Sequence, residues 1–202
     1  MRRLILAGLA TSVVTLALMA PSAFAASGGG CELQGTANIS PGLNANAQNF
    51  SYSFNGNLSG CQSTQSGSPT SGTVSAGEVV TIAGQQFQEP VPSGNGSCGN
   101  STTSGTAIAT WADGTQTVVQ YSTTGALAAV HLQGTVVSSV TLPAVNPQPG
   151  QPTSTTVSTT RYGGSSALGL LAFQPPDPTA CNTPGGATVA AISGTIGLGN
   201  GS

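Results

Sequence analysis

The chain has 202 residues, of which three are Arg or Lys and five are Asp or Glu, giving a formal net charge of −2; no lysine occurs. So few cations exclude a surface that neutralises a run of phosphates or holds an anionic membrane, since both need clustered Lys or Arg. The missing lysine also excludes Schiff-base chemistry and a Walker-type phosphate loop, and 38% hydrophobic residues recurring at strand spacing exclude a strongly charged disordered chain.

In chain order, Arg2-Arg3, an apolar run from Leu4 to Met19, Pro21 and the small-residue site Ala23-Phe24-Ala25 predict a secretory signal peptide over residues 1–25. Cys31 follows three glycines, without the aliphatic residue that a lipoprotein signal needs, so general secretion is expected and no lipid anchor. Removing 25 of 202 residues leaves 177, in which Arg161 is the sole base against five acids, a side-chain charge of −4. No later apolar stretch approaches the ~18 residues of a membrane span. Residues 26–202 are expected to form a secreted β-sandwich domain, with 31–97 and 98–202 as candidate sub-lobes.

The first two predicted strands run from Cys31 to Ile39 and from Phe50 to Cys61, with Phe50, Tyr52 and Phe54 on one face. A hairpin centred near residue 46 brings Cys31 opposite Cys61. Of the three connectivities open to four cysteines, this favours Cys31–Cys61 with Cys98–Cys181. Strands are expected at Gly72–Ala76 and Glu78–Ala83, then a long irregular segment from Gly84 to Thr103. Ser104 to Leu142 reads as a three-strand meander. Asp113-Gly114 is the strongest turn signal, and as a two-residue type I′ loop it sets Ile108 opposite Val119 and Thr106 opposite Tyr121. In the third strand Val130, Leu132, Val136 and Leu142 alternate against His131, which falls on the polar face. The prolines between Pro143 and Pro152 bar that segment from a central strand. Strands at Thr153–Tyr162, Ala167–Phe173 (a helical turn is the alternative) and Ala187–Leu198 complete about nine, without capped helices between them. The fold class is all-β: an antiparallel β-sandwich, immunoglobulin-like or related, with two disulfides.

Catalytic chemistry is sparse. Serine catalysis needs a base, and His131 is the sole imidazole, on an outward strand position with no Gly-x-Ser-x-Gly elbow in the chain. Paired carboxylates are the remaining enzymatic route. The pool is Glu32, Glu78, Glu89, Asp113 and Asp177, with Glu89 and Asp177 as a candidate glycosidase pair. No calcium loop and no Cys/His metal spacing is present, so no metal site, cofactor or catalytic residue is expected. The candidate binding residues are Trp111 and Asp113, beside the predicted turn, and Arg161 and Tyr162. A lone Arg can anchor an acidic partner or bury its guanidinium against Asp113 or Asp177. Trp111 is either a core residue or a platform for sugar or peptide.

The motifs Cys31-x-Leu33-x-Gly35, Pro41-Gly42-Leu43, Phe50-x-Tyr52-x-Phe54-x-Gly56, Cys61 and Trp111-Ala-Asp113-Gly114 resemble those of small secreted all-β, disulfide-bonded proteins of filamentous actinobacteria. A looser likeness is to the β-rich adaptor subunits of secreted antibacterial protein particles. The resemblance implies export and an all-β fold. The expected function is a non-catalytic extracellular module that engages another secreted or cell-surface protein, by strand addition at an open sheet edge or otherwise. The alternatives are an adaptor subunit of a secreted antibacterial complex, and a carboxylate-based hydrolase or carbohydrate-binding module acting on polysaccharide. Nucleic acid and membrane are not expected partners.

Overall fold

The computed structural model describes residues 28–199. The predicted signal peptide, 1–25, lies outside the described residues. The described residues form thirteen strands: β1 (Gly29–Leu43), β2 (Gln48–Ser63), β3 (Gly72–Ala76), β4 (Val79–Ile82), β5 (Gln85–Gln88), β6 (Ser93–Gly96), β7 (Asn100–Trp111), β8 (Gln116–Ala126), β9 (Ala129–Val137), β10 (Ser139–Pro143), β11 (Ser154–Ser158), β12 (Ser166–Gln174) and β13 (Ala187–Gly199), with one 3₁₀ turn at Ala180–Asn182. Every pairing is antiparallel, in keeping with the all-β class read from the sequence.

The main sheet closes on itself. Its order is β1-β13-β12-β9-β8-β7-β3-β2, and β2 pairs back onto β1. The two faces of the expected sandwich are thus one continuous wall around a barrel, joined where β1 and β13, the first and last strands, pair from Gly29 opposite Leu198 to Asn38 opposite Val189. One place in the wall is shared. β3 lies between β2 and β7 along one half of the barrel, and β6 occupies the same slot along the other half. Between them the chain leaves the wall as residues 77–92, which carry the β4–β5 hairpin. The stretch expected to be irregular, Gly84–Thr103, therefore contains β5, β6 and the start of β7. Its prolines, Pro90 and Pro92, stand at the return to the wall, outside any strand.

The Asp113-Gly114 turn corrects the expected register. Gly114 N–H donates to the Trp111 carbonyl at 2.9 Å and Trp111 N–H to the Thr115 carbonyl at 2.9 Å, and of the loop residues only Gly114, at φ 79°, is left-handed. This is a type I turn followed by a left-handed residue, one residue longer than a type I′ loop. Asp113 Oδ1 stabilises it by accepting from the Thr115 N–H at 3.0 Å and the Thr115 hydroxyl at 2.6 Å. The pairing moves by one residue: Ile108 faces Val118, not Val119, and Tyr121 faces Gly105, not Thr106.

With that register the two faces of β7 and β8 separate cleanly. Thr103, Ala107, Ala109, Trp111, Val119, Tyr121 and Thr123 face the interior. Ile108 and Val118 face outward, yet are 5% and 0% exposed, because Phe87, Leu142 and Val157 from the β4–β5 and β10–β11 hairpins cover them. The predicted third meander strand, up to Leu142, breaks at Ser138: β9 stays in the wall, while β10 leaves to pair with β11. Inside the barrel one apolar cluster gathers Cys31, Leu33, Leu58, Cys61, Trp111 and Tyr162, and a second gathers Ala37, Ile39, Leu43, Phe50 and Ala190. The disulfides are Cys31–Cys61 and Cys98–Cys181, as expected, and no described cysteine is free. The first joins the open ends of β1 and β2, where a bulge shifts the register between Gly30 and Glu32.

Candidate functional site

Trp111, Asp113, Arg161 and Tyr162 come together at the barrel end where β7 turns into β8. The segment after β11 is laid over that turn by main-chain bonds from the Thr160 and Arg161 N–H groups to the Gln116 carbonyl, at 2.9 and 3.1 Å. Arg161 then spends its guanidinium on three partners: Nη2 donates to Asp113 Oδ2 at 2.7 Å, Nε to Thr115 Oγ1 at 3.0 Å and Nη1 to Ser68 Oγ at 3.4 Å. The Tyr162 ring lies 5.8 Å from the guanidinium carbon and meets the Trp111 indole edge-on, with centroids 5.5 Å apart at 69°. The Tyr162 hydroxyl also reaches Ser68 Oγ, at 3.4 Å.

Electrostatically the cluster is settled. The Thr115 hydroxyl and N–H, followed by the Arg161 charge, hold the Asp113 carboxyl below the usual carboxylate range. Trp111 is 5% exposed and Tyr162 7%, so neither ring offers a face to solvent. Tyr162 adopts φ 61°, a left-handed conformation uncommon for a bulky residue, which the surrounding bonds fix. Together the four residues close one end of the barrel beside the Cys31–Cys61 bridge. The Asp113 alternative for the Arg161 partner is the one realised, and Trp111 sits in the core, not on the surface.

The remaining candidates are dispersed. His131 is exposed on the outer face of β9, between Thr124 of β8 and Leu170 of β12. Asp177 accepts from the Thr179 hydroxyl and N–H at 2.7 and 2.8 Å in the loop before the 3₁₀ turn, and these bonds lower its pKa. Glu89 is 2% exposed and is bound where the 77–92 segment rejoins the wall: its Oε1 accepts from the Ser75 hydroxyl at 2.6 Å and its Oε2 from the Glu78 N–H at 3.1 Å. Burial pushes the Glu89 carboxyl up, against those two bonds. Glu89 and Asp177 thus serve two different local structures. Among the described residues no group of three or more His, Cys, Asp or Glu side chains is placed to hold a metal ion.

Sequence reasoning missed a set of hydroxyls in the interior. Tyr52 OH lies 2.7 Å from Tyr121 OH and 3.1 Å from Thr103 Oγ1, which lies 2.8 Å from Thr123 Oγ1. Burial raises the pKa of both tyrosines, so they remain neutral donors. Gly105 makes room for this string, since a Cβ there would fall 2.9 Å from Tyr121 OH and 2.7 Å from Pro92. The available signal was the pair of inward tyrosines, on β2 and β8, among otherwise apolar neighbours.

No curated protein and no solved structure matches the chain. A family model does, that of the IPT/TIG domain, over residues 63–174. The match begins at the last residue of β2 and ends at the last residue of β12, so it takes in both outer hairpins and leaves the closing strands β1 and β13 outside. The family is one of non-enzymatic immunoglobulin-like β modules. Since the match covers more than half of the 202 residues, this chain belongs to the IPT/TIG domain family.

Proposed function

We propose that the protein is an exported, non-catalytic module that binds another protein through uncharged contacts on the outer wall of its barrel. IPT/TIG domains mediate protein interaction, which supports the class. The leader-like Arg2-Arg3, Leu4–Met19 and Ala23-Phe24-Ala25 pattern supports export, as do two disulfides of the kind that persist in oxidising compartments. No helix among the described residues is long and apolar enough to cross a membrane.

The observation that carries the reading is a pair of outward leucines on β12. Leu168 and Leu170 are 48% and 66% exposed, alternate along the outer face, and stand opposite Gln133 and His131 of β9 on one side and Gly197 and Thr195 of β13 on the other. Two large aliphatic side chains raised above neighbours that include no carboxylate, Lys or Arg favour apolar contact and give ion pairs little to hold. An adaptor subunit in a larger secreted assembly would use the same surface.

The test is capture from the secreted fraction of the producing organism, comparing the natural chain with the Leu168→Ser/Leu170→Ser variant. A stoichiometric protein partner is expected with the natural chain only, insensitive to salt between ~0.05 and 0.5 M because so few ionised groups are present. Equal capture by both, or a tenfold loss over that salt range, rejects the reading.

A second reading keeps main-chain pairing. Closure leaves the main sheet without the open edge that strand addition needs, but β4 pairs only with β5, and Val79 at its start is 47% exposed. Slowed amide exchange along Val79–Ile82 in the complex, with exchange around Leu168 unchanged, favours this edge over the leucine pair.

A further inference from the structure

An eight-stranded barrel is just wide enough for its own side chains to fill, or to hold one small ligand. This barrel falls on the second side of that divide. Its interior contains a cavity of about 170 Å³. Apart from Trp111 at its end, the inward positions of β7 are small: Ser101, Thr103, Gly105, Ala107 and Ala109. Around them Phe54, Leu132, Leu171 and Ile192, with Val119 on the neighbouring β8, point inward and yet are only half-buried, because they line that space. An apolar cavity of about 150 Å³ accepts a benzene-sized guest.

One wall of the cavity is polar. The hydroxyls of Tyr121, Tyr52, Thr103 and Thr123 form a string of three hydrogen bonds, of 2.7, 3.1 and 2.8 Å. Each hydroxyl brings one proton and can accept twice. Four protons spread over three bonds leave one free, on whichever of the four hydroxyls the bond directions select. All four residues, Tyr52, Thr103, Tyr121 and Thr123, line the cavity, and Ser101 on the same inner face adds another hydroxyl. The lining contains no Asp, Glu, Lys, Arg or His, so nothing there compensates a charged guest.

We propose that the barrel interior is a binding site for one small neutral molecule, a single ring or short chain carrying an acceptor oxygen, which takes the spare proton of the Tyr121–Tyr52–Thr103–Thr123 string. The apolar remainder of the guest packs against the wall opposite. A neutral carbonyl or ether oxygen is the matching group, since it accepts without bringing charge into the barrel. This site shares Leu168 with the outer face assigned to the protein partner, but its hydroxyl string lies on the inner face.

Benzaldehyde is a suitable probe: it has one ring and one carbonyl, and the chain has no lysine to capture it as an imine. The experiment titrates the whole protein with benzaldehyde, following methyl resonances by NMR and the carbonyl stretch by infrared spectroscopy. Saturable shifts of the Val119, Leu132, Leu171 and Ile192 methyls are expected, with a dissociation constant of about 1 mM or tighter. The bound carbonyl should absorb below its frequency in cyclohexane, as a hydrogen-bonded carbonyl does. Ala107→Leu, which places three extra carbons at the inner wall, should weaken binding about tenfold or more, with Ala107→Val as the smaller step if the leucine impairs folding. Absence of saturable interior shifts overturns the site, as do shifts confined to the Leu168 and Leu170 methyls or undiminished binding in both filled variants. A carbonyl frequency equal to that in cyclohexane overturns the role of the hydroxyl string.

Discussion

The indole N–H of Trp111 is held at 2.9 Å by the hydroxyl of Thr117, and that same hydroxyl donates at 2.9 Å to the carbonyl of Arg161. Thr117 is 0% exposed and occupies an inward position of β8, so one oxygen ties the Trp111 end of β7 to the segment that carries the Arg161–Asp113 pair. Replacing Thr117 with the isosteric Val keeps the packing and strands both partners. The expected cost is about 1–3 kcal/mol for each buried group left without a partner, read as a lower urea midpoint at unchanged m-value. Thr117→Ser, which keeps the hydroxyl, should recover most of it. If Val is tolerated as well as Ser, the hydroxyl is not what fixes the cap.

Much of the wall was legible because its strands alternate: β3 matches its expected bounds, and β12, β13 and the β1–β2 hairpin with Cys31–Cys61 fall within a few residues of theirs. Closure was not legible. It depends on pairing β1 with β13, at opposite ends of the chain, and no local pattern encodes that. The turn failed for a chemical reason. Asp113-Gly114 satisfies a type I′ loop, but the Asp113 carboxylate bonds Thr115 and thereby enlarges the loop by one residue. The same slip hid the interior hydroxyls, because Thr103 meets Thr123 only in the true register. In the cap, the Arg161–Asp113 pair was one of two weighed from scarcity of charge, whereas Ser68, which binds both Arg161 and Tyr162, carries no distinguishing signal in its sequence.

His131→Ala should change stability by less than ~0.5 kcal/mol, because its side chain is exposed on the outer face of β9 and surface positions without special contacts behave so. Thermal or urea unfolding reads this directly. Retained stability with lost partner capture would place His131 in the interface beside Leu170, its neighbour on β12.

Gly35→Ala should be strongly destabilising. Phe54 lies across Gly35 and Gly56 on the inner wall, and a Cβ at residue 35 would fall 2.6 Å from the Phe54 ring and closer still to the Asn55 carbonyl. The backbone oxygen cannot yield, so the strand pair must part. Overpacking of this kind typically costs ~1–3 kcal/mol, and contact with main chain puts it at the upper end. Gly84→Ala is the contrast, since a Cβ there meets nothing within 4 Å and the strain comes from its φ of 82° alone. Equal losses at the two positions, measured by urea unfolding, would show that the Phe54 contact contributes nothing.

Glu89 and Asp113 should shape the pH dependence of stability with opposite signs. Burial raises the folded pKa of Glu89 above its unfolded value of ~4.3, so its contribution is complete below that pH and is lost as pH rises through the raised value. The folded pKa of Asp113 is lowered, by the Thr115 bonds and then by Arg161. Its contribution is present above ~3.9 and is lost as pH falls through the lowered value. Asp177, lowered by Thr179, adds to the acid side. Stability should therefore fall on both sides of a maximum near or just above pH ~4, and the two limbs can be removed separately. Glu89→Gln carries no charge: its amide can donate to Ser75 Oγ while its carbonyl accepts the Glu78 N–H, so it should abolish the decline above the maximum and leave the acid limb intact. Asp113→Asn should reduce the acid limb only. Glu89→Ala leaves the Ser75 hydroxyl and the Glu78 N–H without their partner, at about 1–3 kcal/mol each, and should be less stable than Gln at every pH. The measurement is urea unfolding at a series of pH values. A decline above the maximum that persists in Glu89→Gln would mean that some other group, and not this buried carboxyl, sets it.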